Sequence, residues 1–430
     1  MNDGIDYYTG SAFPLIKKRP YTQYFTFAKD GDFPLDSGRL FGPITLAYET
    51  YGRLNSERSN AVLIVHALTG DAHCASHGED DPEKGWWEPL VGPGKVFDTR
   101  RYFVICSNVL GGCQGSTGPA SYDPQTGKPY GMRFPVITIR DMVRAQKQLI
   151  DHLGIKRLHC VTGGSMGGAQ TLTWAVEYPD MMDGIIAIAM PGRSSAQSIA
   201  YNEVMRRAIV TDPAWNGGDY YGTPGPINGL ATARMLGMIT YQSDESMTMK
   251  FGRDVMNATF ADLFDFRTQF QVESYLHYQG RKLVERFDAN TYLYLTRAID
   301  LFDISLGYPS YDAALGQIKC LVQVIGVSSD ILYPRQQQIE IARILKEQGK
   351  DVRYDEIESI YGHDGFLIEF DKMVPMLNTF LERLWKIRHG GNNNNYNKHS
   401  KERRGKKGEA AAGGAAEAEA SVPATSAATD

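Results

Sequence analysis

Short runs of apolar and β-branched residues recur along this chain, and segments with helical periodicity separate them. Continuous apolar runs are typical of strands in a parallel sheet, because helices cover both faces of such a sheet. One connecting helix is well marked: Thr138 precedes it as an N-cap, Asp141 lies in its first turn and Gly154 ends it. The sequence therefore predicts an α/β fold with a mostly parallel sheet and helices on both faces. The predicted strands are residues 61–68, 102–109, 158–162, 184–190, 321–327 and 352–357.

One long segment, residues 191–318, lies between two of these strands, whereas a simple connection between parallel strands needs about a dozen or two residues. It has mainly helical periodicity and contains many Tyr, Met and Arg residues. Open α/β sheets bind ligands at the carboxyl ends of their strands. We therefore predict that residues 1–190 and 319–388 form the core, and that residues 191–318 form an inserted helical lid over that edge of the sheet.

The composition excludes several classes of protein. Hydrophobic residues make up 42% of the chain, and no apolar run reaches the ~18 residues that a membrane span needs. The chain has 45 Lys and Arg residues against 50 Asp and Glu residues, so no basic excess favours binding to nucleic acid. The 5 cysteines lack a CxxC spacing, which argues against a disulfide framework or a zinc site. We expect neither a bound metal nor a bound cofactor.

The two ends of the chain differ from the rest. The first residues are acidic and no apolar segment follows them, so we expect a cytoplasmic protein without a leader peptide. Residues 389–430 are rich in Asn, Lys, Ala and Glu and offer little apolar surface to bury, which predicts a disordered tail. Its basic stretch, residues 401–407, is interpreted as a solvated charge run, with a nuclear address or a polyanion contact as the alternative.

The strongest chemical signal is a GxSxG motif that joins a predicted strand to a predicted helix. Ser165 stands at its centre, with Gly163 and Gly164 before it and Gly167 after it. A sharp strand-to-helix turn leaves no room for side chains beside the serine, and it raises the hydroxyl to the edge of the sheet near a helix N-terminus. The motif alone is weak evidence. Its strand and helix context predicts a nucleophile elbow.

A serine alcohol needs a base and an acid to act as a nucleophile, and an elbow of this type takes them in the chain order Ser, acid, His. Asp330 follows the strand 321–327, and His363 follows the strand 352–357 between two glycines. Either residue alone would be an ordinary polar loop residue. Because both occur in the required order at strand ends, we predict a catalytic triad of Ser165, Asp330 and His363.

Two glycine-rich loops complete the predicted site. Residues 66–73 follow the first predicted strand, where folds of this type supply an oxyanion amide, and we predict an oxyanion hole formed by the amides of Leu68 and Met166. His66 is interpreted as a residue that shapes this loop and not as the base. The loop 111–118 lacks the Lys of a phosphate-binding loop. We interpret it as lining the mouth of the acyl pocket.

Seven segments carry a more specific signal. They are HALTGDAH (66–73), NVLGGCQGSTGP (108–119), GGSMGG (163–168), ARMLGMITY (233–241), VESYLHYQG (272–280), RFDANTYLYLT (286–296) and YGHDGF (361–366). In this order they resemble the bacterial-type homoserine O-acetyltransferase family, and the similarity extends from about residue 48 to residue 384. The combination is far more specific than the elbow alone.

The resemblance implies an α/β-hydrolase fold with a helical lid and a homodimer built through that lid. It also implies ping-pong transfer of an acetyl group from acetyl-CoA to the side-chain hydroxyl of L-homoserine, a step of methionine biosynthesis. Arg234 would then hold the carboxylate of the amino acid, and Asp364 would hold its ammonium group, since a zwitterion needs one cation and one anion. On charge alone, Arg234 would more often form a surface or lid salt bridge.

Two residues depart from the common family pattern and leave the acyl donor open. Ala169 follows the elbow where many members carry a methionine, and Gln114 is one of several variants in the glycine loop. Members and close relatives use acetyl-CoA or succinyl-CoA, and some acylate serine, so homoserine O-succinyltransferase and serine O-acyltransferase are alternatives. An esterase with the same triad and no amino-acid site is a further alternative. A non-catalytic binding module would require a broken triad.

Overall fold

The computed structural model describes residues 19–256, 264 and 270–389. By its contacts the chain divides into Met1–Leu384 and Trp385–Asp430. The first unit contains the sheet and its covering helices. Of the second unit, the structure describes the end of the last helix, and residues 390–430 of the predicted tail lie outside the described residues, as does the acidic start of the chain. No helix in the described part is long and apolar enough to cross a membrane.

The described strands are β1 (Gln23–Phe27), β2 (Phe33–Pro34), β3 (Leu40–Phe41), β4 (Ile44–Tyr51), β5 (Ala61–Val65), β6 (Phe103–Ser107), β7 (Leu158–Gly164), β8 (Met182–Ile188), β9 (Leu321–Val327) and β10 (Val352–Ile357). Eight of them form one sheet in the order β1-β4-β6-β5-β7-β8-β9-β10. All pairs from β6 to β10 are parallel, and β4 pairs antiparallel with β1 and β6. The predicted α/β fold is confirmed, and the antiparallel edge is an addition to it.

The described α-helices are α1 (Ile139–His152), α2 (Met166–Glu177), α3 (Ala196–Val210), α4 (Ile227–Tyr241), α5 (Asp244–Phe251), α6 (Gln271–Val284), α7 (Ala289–Asp300), α8 (Tyr311–Leu315), α9 (Gln336–Glu347), α10 (Gly365–Ile368) and α11 (Phe370–His389). The predicted tail start is wrong by one residue, since His389 still belongs to α11.

Helix α1 begins and ends where the sequence predicts. Thr138 and Asp141 form a capping box, in which each side chain accepts from the backbone N–H of the other residue (3.1 and 2.9 Å). Gly154 follows the helix with a φ of 67°, and a Cβ there would lie 1.7 Å from the Arg58 guanidinium. The predicted N-cap and the predicted terminating glycine of α1 are both confirmed.

Several predicted strand bounds are wrong at the edge of the sheet. The run 61–68 leaves the sheet after Val65 and turns, with the N–H of Gly70 donating to the carbonyl of Ala67 (3.0 Å). The run 184–190 is two residues too late, since β8 ends at Ile188, and the run 158–162 is too short, since β7 continues to Gly164. Apolar residues continue beyond these strands because the loops that follow are also buried.

Between β8 and β9 the chain is helical, and α3 to α8 occupy this segment. The start of the segment lies beside the chain that follows α7, because the N–H of Ile304 donates to the carbonyl of Gly192 (2.9 Å) and Arg193 pairs with Asp303 as an isolated bridge. The helices α3 to α7 therefore begin and end at one place. The division at residues 191 and 318, and the role of the segment as a lid, stay predictions.

Candidate active site

Ser165 occupies the turn between β7 and α2, with a φ of 59° and a ψ of −127°. A residue other than glycine in such a conformation costs about 1–3 kcal/mol, so its surroundings must hold it there. Its N–H donates to the carbonyl of Ile188 (3.0 Å), and its carbonyl accepts from the N–H of Ala169 (3.1 Å). The serine therefore lies at the carboxyl end of an inner strand, directly before a helix N-terminus.

The glycines around Ser165 allow neighbouring strands and loops to approach closely. A Cβ at Gly163 or at Gly167 would lie 2.2 Å from the carbonyl oxygen of Val65, at the end of β5. A Cβ at Gly164 would lie 2.5 Å from the ring of Phe366. No side chain fits at these distances, so the motif is required by packing as well as by the turn.

Asp330 and His363 follow β9 and β10, and they are hydrogen-bonded to each other. The Oδ2 atom of Asp330 lies 2.7 Å from the Nδ1 atom of His363, and both side chains are buried. The other oxygen, Oδ1, accepts from the N–H groups of Leu332 and Tyr333 (both 2.9 Å). Three contacts thus fix the carboxylate, and the carboxylate fixes the orientation of the imidazole.

The pKa of His363 reflects two opposing effects. Burial lowers it, but the charge and the hydrogen bond of Asp330 outweigh burial, and the pKa is raised above its ordinary value. The ring is also enclosed by the rings of Tyr333, Phe366 and Tyr241, whose centres lie 5.2, 5.5 and 6.0 Å away. The Asp330 carboxylate therefore stabilises a protonated His363 in a largely apolar enclosure.

The Nε2 atom of His363 is buried and has no hydrogen-bond partner among the described residues. The Ser165 hydroxyl therefore does not hydrogen-bond to it in this structure, although Phe366 packs on both the elbow and the His363 ring. Hydrogen bonds between catalytic groups are often long without substrate and tighten when it binds. The structure places the three predicted triad residues at the ends of parallel strands on one edge of the sheet.

The turn after β5 orients the peptide that contains the Leu68 N–H. The carbonyl of this peptide belongs to Ala67, and it accepts from the N–H of Gly70 and faces His66 Nδ1 (2.7 Å). The other His66 nitrogen, Nε2, accepts from the N–H of Val109 (3.1 Å), so the ring proton lies on Nδ1 and is donated to Ala67. Burial lowers the pKa of His66, which favours this neutral form. These contacts agree with a loop-shaping residue.

The second predicted oxyanion donor, Met166, is the first residue of α2. The first N–H groups of a helix have no partner within the helix. The Met166 amide follows the strained Ser165 directly, and the next residue, Gly167, packs against the end of β5, where the turn of Leu68 begins. The assignment of both amides to an oxyanion hole stays a prediction.

Arg234 and Asp364 bring opposite charges to the same site without forming a salt bridge to any described residue. The Nε atom of Arg234 is buried and has no hydrogen-bond partner in the described part of the chain, and the guanidinium lies 5.7 Å from the centre of the Tyr241 ring. Burial raises the pKa of Asp364, while the positive charges of His363, Arg234 and Lys250 oppose that shift. A cation and an anion that form no salt bridge with each other thus lie near His363.

Helix α4 carries Arg234 to this position because its end packs on the turn of His363. A Cβ at Gly362, which has a φ of 65°, would lie 2.8 Å from the backbone of Gln242, and the Ser243 hydroxyl donates to the carbonyl of Ile360. The sequence analysis did not single out Tyr241 or Lys250 as site residues. Their place beside Asp364 depends on contacts between segments more than 100 residues apart in the chain.

A second polar cluster, of Glu49, His73 and His77, is found in the described part of the chain. The Oε2 atom of Glu49 lies 2.9 Å from His73 Nδ1 and 3.0 Å from His77 Nε2, and it also accepts from the Tyr51 hydroxyl (2.8 Å). The cysteine pattern, on which the prediction of no zinc site rests, carries no information on this cluster. The distances within this cluster are those of hydrogen bonds, so hydrogen bonds explain the arrangement of its side chains.

The comparisons with known proteins agree with this geometry. The family model described as alpha/beta hydrolase fold matches residues 60–369. The homoserine O-acetyltransferase of Deferribacter desulfuricans is 54% identical over 85% of this chain and 96% of its own length. The crystal structure of homoserine O-acetyltransferase from Bacillus anthracis has a TM-score of 0.78 and 32% identity, and covers 84% of this chain and 97% of that one. Esterase E22 has a TM-score of 0.77 and 31% identity, with coverage of 84% and 99%.

The identity of 54% extends over most of both chains and includes the inserted segment as well as the sheet. The solved structures share the fold at 31–32% identity. The chain therefore belongs to the homoserine O-acetyltransferase family of the α/β-hydrolase fold.

Proposed function

We propose that this enzyme transfers an acetyl group from acetyl-CoA to the side-chain hydroxyl of L-homoserine by a ping-pong mechanism. The observation that carries the proposal is the pairing of two features at one site. A buried Asp330–His363 pair leaves His363 Nε2 without a partner among the described residues, beside a strained serine elbow. The charges of Arg234 and Asp364, which form no salt bridge in the same part of the chain, lie next to it. The first feature serves acyl transfer, and the second serves an amino acid as acceptor.

In the first half-reaction, His363 Nε2 takes the hydroxyl proton of Ser165 while the serine oxygen attacks the thioester carbonyl. The amides of Leu68 and Met166 hold the negative oxygen of the tetrahedral intermediate. The carbon–sulfur bond then breaks, and His363 returns the proton to the departing thiolate of CoA. The products are CoA and an acetyl ester on Ser165.

In the second half-reaction, the homoserine hydroxyl gives its proton to His363 Nε2 and attacks the acetyl ester. The bond between the acetyl carbon and the Ser165 oxygen breaks, and the proton returns to the serine. Arg234 holds the homoserine carboxylate through its guanidinium, and Asp364 holds the ammonium group. Asp364 follows His363 directly in the chain, so the acceptor is bound next to the base.

An esterase is the second candidate function, because esterase E22 shares the fold at a similar identity to the structurally known acetyltransferase. Hydrolysis needs the triad and an oxyanion hole but no site for a zwitterion. Arg234 and Asp364 favour the transferase, because neither forms a salt bridge with a residue that the structure describes. The relatives of higher identity that carry the transferase name point in the same direction.

The experiment combines acetyl-CoA or succinyl-CoA with homoserine, serine or water and measures free thiol together with the acylated amino acid. We expect thiol release with acetyl-CoA to rise with homoserine concentration and to match O-acetylhomoserine formation. Equal rates without an amino acid would support the esterase. Preference for succinyl-CoA or for serine would support the alternative transferases.

We also propose that the enzyme is a homodimer that associates through the inserted helices. Large apolar side chains are exposed on these helices, including Val204, Ile239, Met249 and Tyr278. Sedimentation equilibrium of the full chain is expected to give twice the mass of one chain. A monomer at micromolar concentration would contradict this proposal and leave the chemistry unaffected.

A further inference from the structure

Arg286, which lies between α6 and α7, connects the inserted segment with the turn that contains Leu68. Its Nη1 atom donates to the carbonyl of Thr69 (2.8 Å), 217 residues away in the chain. Its own backbone carbonyl accepts from the Nε2 atom of Gln114 in the glycine loop (2.6 Å). One residue thus contacts both loops that the sequence analysis places at the acyl site.

Arg286 forms no salt bridge with any residue in the part of the chain that the structure describes. Burial and the neighbouring Arg234 lower the pKa of Arg286, and the charge of Asp71, which pairs with Arg19 (3.0 Å), offsets only part of that shift. A buried cation that forms no direct ion pair destabilises a folded protein. A role in stability alone therefore explains this arginine poorly.

The turn that contains Leu68 is held by hydrogen bonds on two sides, and Thr69 receives the one from the inserted segment. On the inner side, the peptide between Ala67 and Leu68 is held by the hydrogen bonds that His66 and Gly70 make to the Ala67 carbonyl. Two residues further along the chain, the carbonyl of Thr69 accepts a hydrogen bond from Arg286 in the inserted segment. The direction of the Leu68 N–H depends on both sets of contacts, because Leu68 lies between the two carbonyls that they hold.

We propose that Arg286 is a positioning residue that fixes the turn of Leu68, so that the Leu68 amide points at the oxyanion. This inference rests on the proposed function through its assignment of the oxyanion hole. Arg286 acts through the Thr69 carbonyl and does not bind homoserine or CoA. A guanidinium suits this role because its planar donor group holds the carbonyl in a fixed direction.

The test compares Arg286→Met and Arg286→Lys with the wild type in two reactions, acetyl-CoA with homoserine, and acylation by p-nitrophenyl acetate. The small ester lacks CoA and needs no acceptor, so it reports on the serine and the oxyanion hole alone. We expect Arg286→Met to lower kcat about 10- to 100-fold in both reactions, with KM values for acetyl-CoA and homoserine changed by less than about 3-fold. Arg286→Lys keeps one donor and is expected to lose less.

The affinity of a boronic acid that adds to Ser165 is a second measurement, and it would not change if Arg286 only stabilised the fold. Its tetrahedral adduct fills the oxyanion hole, so its affinity for Arg286→Met is expected to fall in parallel with kcat. The matched control is Lys282→Met, which removes an exposed positive charge from the same region. If Arg286→Met does not fold, Arg286→Lys and its boronate affinity carry the test.

Two results would overturn the inference. Unchanged kcat in both Arg286 variants would remove any role in positioning, and a raised KM for homoserine or acetyl-CoA at unchanged kcat would make Arg286 a binding residue. Failure of the proposed function has a different signature. In that case the wild type would form no O-acetylhomoserine, while its acylation by p-nitrophenyl acetate would still depend on Arg286.

Discussion

Replacing Asp330 by asparagine tests the catalytic geometry because both carboxylate oxygens have defined partners. Oδ1 accepts from the N–H groups of Leu332 and Tyr333, and Oδ2 faces His363 Nδ1. An asparagine has a single acceptor oxygen, and the two backbone donors require it. The amide NH₂ group must then face His363, so Nδ1 has to accept a hydrogen bond and the ring proton moves to Nε2.

A proton on Nε2 prevents His363 from taking the proton of Ser165. The wrong tautomer lowers kcat about 10⁴-fold in triads of this kind, which corresponds to about 5.4 kcal/mol at 25 °C. The two backbone hydrogen bonds at position 330 are kept, so we expect the fold to be retained. The loss of the carboxylate charge should also lower the pKa of His363, since that charge is what raises it.

The assay is steady-state release of free thiol from acetyl-CoA with saturating homoserine, together with a thermal melt of each variant. Asp180→Asn is the matched control, because its carboxylate is exposed and bonds to a surface lysine. It is expected to keep wild-type kcat. If Asp330→Asn retains more than about 1% of wild-type kcat while folded, the tautomer argument and the role of Asp330 are wrong.

Three further predictions concern the acceptor site, the buried cluster and the tail. Arg234→Ala should leave the acetyl-enzyme burst nearly unchanged and slow transfer to homoserine about 100-fold, and Arg234→Lys should restore that transfer in part. Rapid-quench kinetics measure both steps. Loss of the burst itself would show that Arg234 does not bind the homoserine carboxylate. Burial opposes the charge of Glu49, but hydrogen bonds from His73 and others lower its pKa, and Glu49 in turn raises the pKa of His73 despite burial. The pair therefore stabilises the fold above the ordinary pKa of Glu (about 4.3) and below that of His (about 6.5), and loses this effect as pH falls through the first folded-state pKa or rises through the second. Glu49→Gln should lower the free energy of unfolding in urea by about 3 kcal/mol, most between pH 4.5 and pH 6.5, and a difference independent of pH would contradict the ionic pair. Truncation after Arg388 should leave kinetics and melting temperature unchanged, and a drop of several degrees would show that the tail docks.

Local signals in the sequence predicted the parts of the site that are local. The elbow needs glycines beside Ser165 because β5 and Phe366 approach the turn, and that need is visible in the motif. The residues that begin and end helix α1, Thr138 and Gly154, lie next to the helix in the chain, so the sequence pattern indicates them. Asp330 and His363 were predicted from their places after strands, because parallel strands end at one edge of the sheet.

Features that depend on distant segments were not predicted. The strands β1 and β4 add an antiparallel edge, and the mostly exposed or half-buried residues of β1 have no continuous apolar run that would mark a strand. The sequence does not distinguish Arg286 from the other arginines of the inserted segment, because its contact with Thr69 joins residues far apart in the chain. The cluster around Glu49 joins residues from a strand and a loop, and sequence spacing does not indicate it.

The most direct test of the proposed mechanism is mass spectrometry of the enzyme quenched after mixing with acetyl-CoA in the absence of homoserine. The mechanism predicts one acetyl group on the peptide that contains Ser165, released as O-acetylhomoserine when homoserine is added. Ser165→Ala should stay unmodified and release no thiol. Formation of O-acetylhomoserine at the normal rate with no acetyl group on Ser165 at any time would contradict the account.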